Sequence, residues 1–376
     1  MSPRVSFVIP CFNLARFLPQ CVDSISCQTF SDFEILILDD CSPDETEQVV
    51  QRLTDNRVVY VRNEINLGHL RNYNKGIGLA RGKYIWLLSP DDSLRGPDVL
   101  NKYVALLEQH SRVGYVFSPV MDFDEKGERF GRHSFHGDGD QIFPGPEIVK
   151  KLMHKRCVPA ASGMARRECY EKFGAFPLDL PFTGDEYLWA LFALHYDVGY
   201  FSRPMVNYRI HEGSMTSQLR EAQVATLAWN TIAVPWRIKE KAQSAGCRSV
   251  VRAARRALVL HYAEHLESVP YRGVSMSIRE QDFLDSVTHN ARNAREGRWV
   301  RARVFARQAD IAYWKGDYEK ALDRYARALR EDVCMPLVCV KYVLLRLGNF
   351  GIRIRGGLLS ACRRGLWSAI RQVGSE

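Results

Sequence analysis

No stretch of this chain reaches the roughly 18 consecutive apolar residues that a bilayer crossing needs, and its N-terminus enters a strand-like segment without a basic and then apolar leader. Neither an integral membrane protein nor export by such a leader is expected. The ten cysteines include no Cys-x-x-Cys pair and lie scattered from Cys11 to Cys362. That spacing outlines neither a zinc cage nor a disulfide framework, and it suits a reducing cytoplasm. No recognised nucleic-acid module accompanies the arginines, so the net charge of +9 is not read as DNA or RNA binding.

What is present is globular material: 376 residues, 46% hydrophobic and 25% charged, enough for two domains and a sizeable core. The positive charge gathers in the C-terminal half. The N-terminal half alternates strand-like and helix-like stretches. Val5 to Pro10 reads as a buried strand before Cys11-Phe12-Asn13, and an amphipathic helix is predicted from about Leu14 to Gln28. Phe33 to Leu38 is a second apolar strand, ending in Asp39-Asp40. Ser42-Pro43-Asp44-Glu45 has the capping residue, proline and first-turn acids of a helix start. Arg57 to Arg62 makes a third strand, Asn63 to Gly68 a turn, and His69 to about Ala80 a helix carrying Arg71, Asn74 and Lys75. Gly82 to Leu88 is a fourth strand, apolar enough to be buried on both faces of a parallel sheet, and it stops at Ser89-Pro90-Asp91-Asp92.

Strand-helix-strand units with right-handed crossovers bring the ends of their strands to one edge. Asp39-Asp40 and Asp91-Asp92 are thus expected in one crevice, where open α/β sheets collect their ligands. A hard divalent ion that keeps several waters needs only one or two carboxylates plus phosphate oxygens. The competing reading is that Asp92-Ser93 caps the helix predicted from about Pro97. Val113 to Met121 is a further strand and Asp122 to Gly127 a hairpin turn. His133, His136, Asp138 and Asp140 match no metal-ligand spacing and read as a solvated loop. Phe182 to Trp189 is a turn feeding a helix to His195, whose first acids, Asp185 and Glu186, either offset the helix dipole or do chemistry. Val206 to Ser214 reads as a strand and turn presenting His211.

Ile9-Pro10-Cys11-Phe12-Asn13, Leu38-Asp39-Asp40-Cys41-Ser42-Pro43-Asp44, Asn66-Leu67-Gly68 with Arg71-Asn72, and Leu88-Ser89-Pro90-Asp91-Asp92 resemble, in order and spacing, the family 2 glycosyltransferases of the GT-A fold. The resemblance covers roughly residues 4 to 215 and implies an α/β domain, 1–215, with a doubly wound, mostly parallel sheet. It implies a nucleotide-diphospho-sugar donor bound through Pro10, Phe12, Asn13, Asp39, Asp40, Asn66, Gly68 and Arg71. It further implies a divalent metal, Mg2+ or Mn2+, held on the diphosphate by Asp91, Asp92 and, in the family's Tyr-Arg-x-His context, His211. Aligning Trp189 with the family's Leu-Trp places Asp185 on the catalytic base. Ser89 stands where the first acid of the Asp-x-Asp motif usually sits, and Gly184 where an acid usually precedes the base. The implied reaction is inverting transfer to a hydroxyl of a glycan or lipid-linked acceptor, in cell-surface polysaccharide biosynthesis. Asp39 and Asp40 are expected to serve the nucleotide without carrying the fold. A nucleotidyltransferase would need a Gly-rich basic loop where Pro10-Cys11-Phe12-Asn13-Leu14 stands, and a processive synthase would need membrane spans and a Gln-x-x-Arg-Trp motif. The alternative from a different class is a catalytically inactive nucleotide-binding scaffold, prompted by Ser89 and Gly184.

After Ser217 Ala, Arg, Leu and Glu dominate, which predicts an all-α domain over 216–350. Gly316-Asp317-Tyr318, Tyr325 and Ala328-Leu329 fall at the intervals of one tetratricopeptide unit, with an ordinary helical hairpin as the competing reading. In the tail, 351–376, five arginines alternate with Ile352, Leu358, Leu359, Leu366, Trp367 and Ile370. That is the pattern of a basic amphipathic helix, which either docks peripherally on the inner membrane surface or packs onto the helical domain.

Overall fold

The computed structural model describes residues 2–124, 126, 129–133, 139–154, 158–214, 221–267, 269–271 and 274–348. The tail 351–376, His136 and Asp138 lie outside these residues. Four parallel strands, β1 (Val5–Cys11), β2 (Phe33–Asp39), β3 (Val58–Arg62) and β4 (Tyr84–Leu87), are joined by α1 (Leu18–Ser26), α2 (Thr46–Gln51) and α3 (His69–Leu79). Short β5 (Ser93–Leu94) leads into α4 (Val99–Gln109), β6 (Val113–Phe117), β7 (Val120–Phe123), β8 (Arg129–His133), β9 (Gln141–Phe143) and α5 (Gly145–Leu152). Then come β10 (Met164–Arg166), α6 (Arg167–Phe173), α7 (Gly184–Ala193), β11 (Asp197–Tyr200) and β12 (Val206–Arg209). The main sheet has the order β3-β2-β1-β4-β10-β6-β11-β9, and β5-β12-β7-β8 form a second one.

Covered on both faces, β2 is buried at every residue, as its unbroken apolar run requires. An aromatic stack, Phe33, Phe7, Trp86, Tyr103 and Phe201, crosses the core with neighbouring centroids 4.5 to 5.8 Å apart. Such pairs add about 0.5–1.5 kcal/mol each beyond the area they bury. Helix α3 packs closely on the sheet because Gly76 has no side chain: a Cβ there would stand 2.4 Å from Val8 Cγ1.

Two local expectations are corrected. The apolar run 113–121 is not one strand. Pro119 cannot donate to a ladder, and the chain passes at Ser118-Pro119 from β6 in the main sheet to β7 in the second. Nor does Ser42 cap a helix: its hydroxyl accepts the Asn13 N–H at 3.2 Å, and α2 begins at Thr46, whose N–H is taken by Asp44 Oδ1 at 3.2 Å.

The remaining chain is helical apart from one short ladder. It comprises α8 (Glu221–Ser244), α9 (Arg248–Leu266), the paired β13 (Val269–Tyr271) and β14 (Val274–Met276), α10 (Glu280–Asn290), α11 (Ala294–Trp314), α12 (Tyr318–Glu331) and α13 (Pro336–Arg346). The chain divides into two compact units within α9, between Ala254 and Arg255. In the second unit α11 and α12 form a helical hairpin. Gly316 supplies the left-handed φ of 83° at its turn, and Asp317 caps α12 by accepting the Lys320 N–H. Among the described residues no helix is long and apolar enough to cross a membrane.

Candidate active site

The ends of β1 and β2 are laced together. Asn13 and Cys41, just beyond the two strands, hold left-handed φ values of 57° and 59°, and the Asp40 N–H donates to the Cys11 carbonyl at 2.8 Å. Asp39 is fully buried. Its Oδ1 accepts the Ser42 N–H at 2.8 Å, and its Oδ2 accepts the Tyr60 hydroxyl at 2.6 Å and a short bond from Arg62. Burial alone would raise this carboxyl; the bonds from Ser42 and Tyr60 and the Arg62 charge outweigh it and hold Asp39 below the usual carboxylate range. Asp40, 3% exposed, accepts Asn63 Nδ2 at 2.7 Å and the N–H groups of Leu67 and Gly68 at 2.8 and 2.9 Å. These two acids therefore organise the loops beside the strand ends, which corrects the expectation that they carry no share of the fold. Around them Phe12, Asn13, Asn66, Gly68 and Arg71 are exposed, and Pro10 is half-buried in β1 opposite Leu38.

At the end of β4, Asp91 and Asp92 face different surroundings. Asp91 Oδ2 lies 2.9 Å from His211 Nε2, while Asp91 Oδ1 is buried without a hydrogen-bond partner. Asp92, 3% exposed, accepts the Arg209 N–H at 3.1 Å. Burial, followed by the charge of Asp91, pushes its carboxyl well above the usual range. Arg209 grips this turn from β12: its Nε donates to the Asp91 carbonyl at 3.0 Å, and its guanidinium lies over the rings of Phe17 and Phe123 at 4.7 and 4.2 Å. Phe17 also packs against the His211 ring at 4.9 Å. Ser89, in place of an acid, uses its carbonyl to accept the Asp92 N–H at 3.0 Å. Among the described residues no group of three or more His, Cys, Asp or Glu forms a self-sufficient metal cage.

Asp185 sits in the first turn of α7, partly exposed. Gly184 before it is buried, and a Cβ there would stand 3.0 Å from Phe176 Cδ1, so the position is a packing contact. What relates α7 to the β4 acids is Tyr73, on α3. Burial and then the charges of Asp91, Asp185 and Asp92 all push its phenol above the usual range, so one hydroxyl feels the acids of both elements. Sequence reasoning passed over Tyr73 and Arg209. Arg209 was within reach as the second residue of Tyr-Arg-x-His, whereas nothing in the pattern marks Tyr73. Of the loop residues read as solvated, Asp140 accepts the N–H and hydroxyl of Ser202 at 2.8 and 2.9 Å.

Residues 6–174 match the family model described as Glycosyl transferase family 2. A Mycobacterium tuberculosis PGL/p-HBAD biosynthesis glycosyltransferase is 33% identical over 122 residues, 32% of this chain and 48% of that protein. The putative colanic acid biosynthesis glycosyl transferase WcaA of Escherichia coli is 29% identical over 157 residues, 41% of this chain and 54% of that protein. The chain thus spans about half the length of these relatives. In fold it is similar to residues 1–349 of S. aureus TarS, solved in complex with UDP-GlcNAc, with a TM-score of 0.60 and 16% identity across 88% of this chain and 91% of that one. The strand order and the gathering of acids at one sheet edge agree with that match: over residues 6–174 the chain is similar to the family 2 glycosyltransferases, and its fold is of the GT-A type.

Proposed function

We propose that the protein is an inverting glycosyltransferase that moves a sugar from a nucleotide-diphospho-sugar to a hydroxyl of a glycan or lipid-linked acceptor. The observation that carries the reading is the buried, unpartnered Oδ1 of Asp91 beside His211, in a family 2 domain. A buried carboxylate oxygen without a donor is costly unless a ligand completes it. The donor set fits a divalent cation completed by diphosphate oxygens and water, with Asp91 and His211 as ligands and Asp92 close behind. When bound, such an ion supplies Lewis-acid stabilisation of the departing diphosphate. Arg209 holds the Asp91-Asp92 turn, Asp39 and Asp40 hold the loops on which Asn13, Asn66 and Gly68 present themselves to the nucleotide, and Arg71 follows in the first turn of α3. Asp185 takes the acceptor proton as its oxygen attacks, a contribution of roughly 10²–10⁴-fold. Displacement in one step inverts the anomeric centre.

The catalytic chemistry is assigned to 1–215 and peripheral membrane contact to the tail. The role of each acid is separable. Asp91→Ala should abolish metal-dependent donor binding in calorimetry, whereas Asp185→Ala should leave donor binding near normal and lower kcat. Full activity in chelator together with wild-type turnover of Asp185→Ala would refute the division. An inactive scaffold would show no transfer in the wild type across a panel of nucleotide-sugars.

A further inference from the structure

Helix α3 grips the segment that leads into α7. His69 Nε2 lies 3.0 Å from the Pro181 carbonyl oxygen, and the Tyr73 ring packs on Phe176 with centroids 5.4 Å apart. Asn74 clamps the backbone of Phe176 from both sides: its Nδ2 donates to the Phe176 carbonyl at 2.9 Å, and its Oδ1 accepts the Phe176 N–H at 2.8 Å. A side-chain amide here does what a neighbouring strand would do. The Phe176 ring then rests against Gly184, where a Cβ would stand 3.0 Å from Phe176 Cδ1 and 3.9 Å from Leu70 Cδ2. The next residue is Asp185. On the other side of the helix, Asn72 donates to the Leu38 carbonyl at 2.8 Å and accepts Asn63 Nδ2, which also holds Asp40.

We propose that Asn74 is a positioning residue that sets Asp185 through Phe176 and Gly184, and that the glycine stands in place of the usual acid because the Phe176 ring occupies that side. The inference rests on Asp185 being the base. A misplacement of about 1 Å in a reacting group costs on the order of 100-fold, so a clamp on its approach segment acts on turnover rather than on donor affinity.

Asn74→Asp is the informative variant. An ionised carboxylate still accepts the Phe176 N–H but repels the Phe176 carbonyl, whereas the protonated carboxyl is an isostere of the amide and donates again. At alkaline pH kcat should fall by about tenfold or more with donor KM within about twofold, and the ratio of variant to wild-type kcat should climb as pH falls. The reading is the slope of that ratio with pH, so a loss of folded variant that is the same at every pH does not blur it. In the second arm Asn74→Ala is added to Asp185→Asn, and the residual turnover should drop no further, because the clamp works through that carboxylate. A ratio that stays flat with pH, an equal loss in donor binding, or full additivity with Asp185→Asn would overturn the clamp while leaving the base assignment standing. Wild-type turnover in Asp185→Asn itself would instead remove the base, and the clamp with it.

Discussion

Replacing Asp40 with alanine tests whether the strand-end acids build the site as well as border it. The carboxylate takes three donors, but their dependence on it is unequal. Gly68 N–H also reaches Asn66 Oδ1 at 2.9 Å, and Asn63 Nδ2 also reaches Asn72 Oδ1 at 3.0 Å. Leu67 N–H loses its acceptor outright. A bond to a charged acceptor contributes about 1.5–3 kcal/mol; one full loss and two partial ones sum to about 3 kcal/mol. For the compact unit Met1–Ala254 that contains Asp40, that is a fall in Tm of about 6 °C. Asp40→Asn should cost less, because an oxygen kept at the Oδ1 position still accepts the Leu67 and Asn63 N–H groups, and only the Gly68 N–H, which also reaches Asn66 Oδ1, then faces an amide N–H. Thermal denaturation reads the first effect, and hydrogen exchange at the Leu67 and Gly68 amides reads its location. Calorimetric titration with UDP and GDP, run well below both melting points, should then show weakened nucleotide binding, because the loop carrying Asn66 and Gly68 is no longer held. A Tm within about 2 °C of wild type, with both amides still protected, would refute the argument that this carboxylate carries the loop.

Two further outcomes follow from the structure and the sequence. Glu34 and Asp39 are both held below the usual carboxylate range: in each, burial raises the carboxyl, and bonds from Ser6 and Arg81, or from Ser42, Tyr60 and Arg62, outweigh it. The unfolded chain therefore binds more protons in acid, so their stabilisation is present above that range and lost as pH falls through it; Glu34→Gln should flatten the acid limb of a Tm-against-pH curve, and an unchanged slope would exclude the group. Deleting 351–376 should leave transfer to a short soluble acceptor intact but reduce co-sedimentation with anionic vesicles, with the difference shrinking as salt rises; equal sedimentation of both forms would end the membrane reading.

Local pattern determined much here. Unbroken apolar runs marked β1, β2 and β4 as doubly covered strands, because runs this short and this rich in β-branched and aromatic residues suit a strand buried on both faces better than a helix. Right-handed crossover then implied that Asp39-Asp40 and Asp91-Asp92 end at the same sheet edge. The helical character after α7 and β12 was equally legible from composition. What the pattern could not carry was which atoms meet. His211 reaches Asp91 across 120 residues, Asn74 reaches Phe176 across 102, and Arg209 reaches the Asp91 carbonyl across 118. Periodicity constrains neighbours on one strand or helix, whereas these pairings depend on how separate elements pack. So the sequence by itself determined that acids would line one edge of the sheet. Tertiary structure alone decided that Asp39 and Asp40 turn inward to hold loops and that one oxygen of Asp91 is left without a donor. It also decided that Ser42 bonds across to Asn13 instead of capping α2, because the left-handed turn after β1 brings that N–H within reach first.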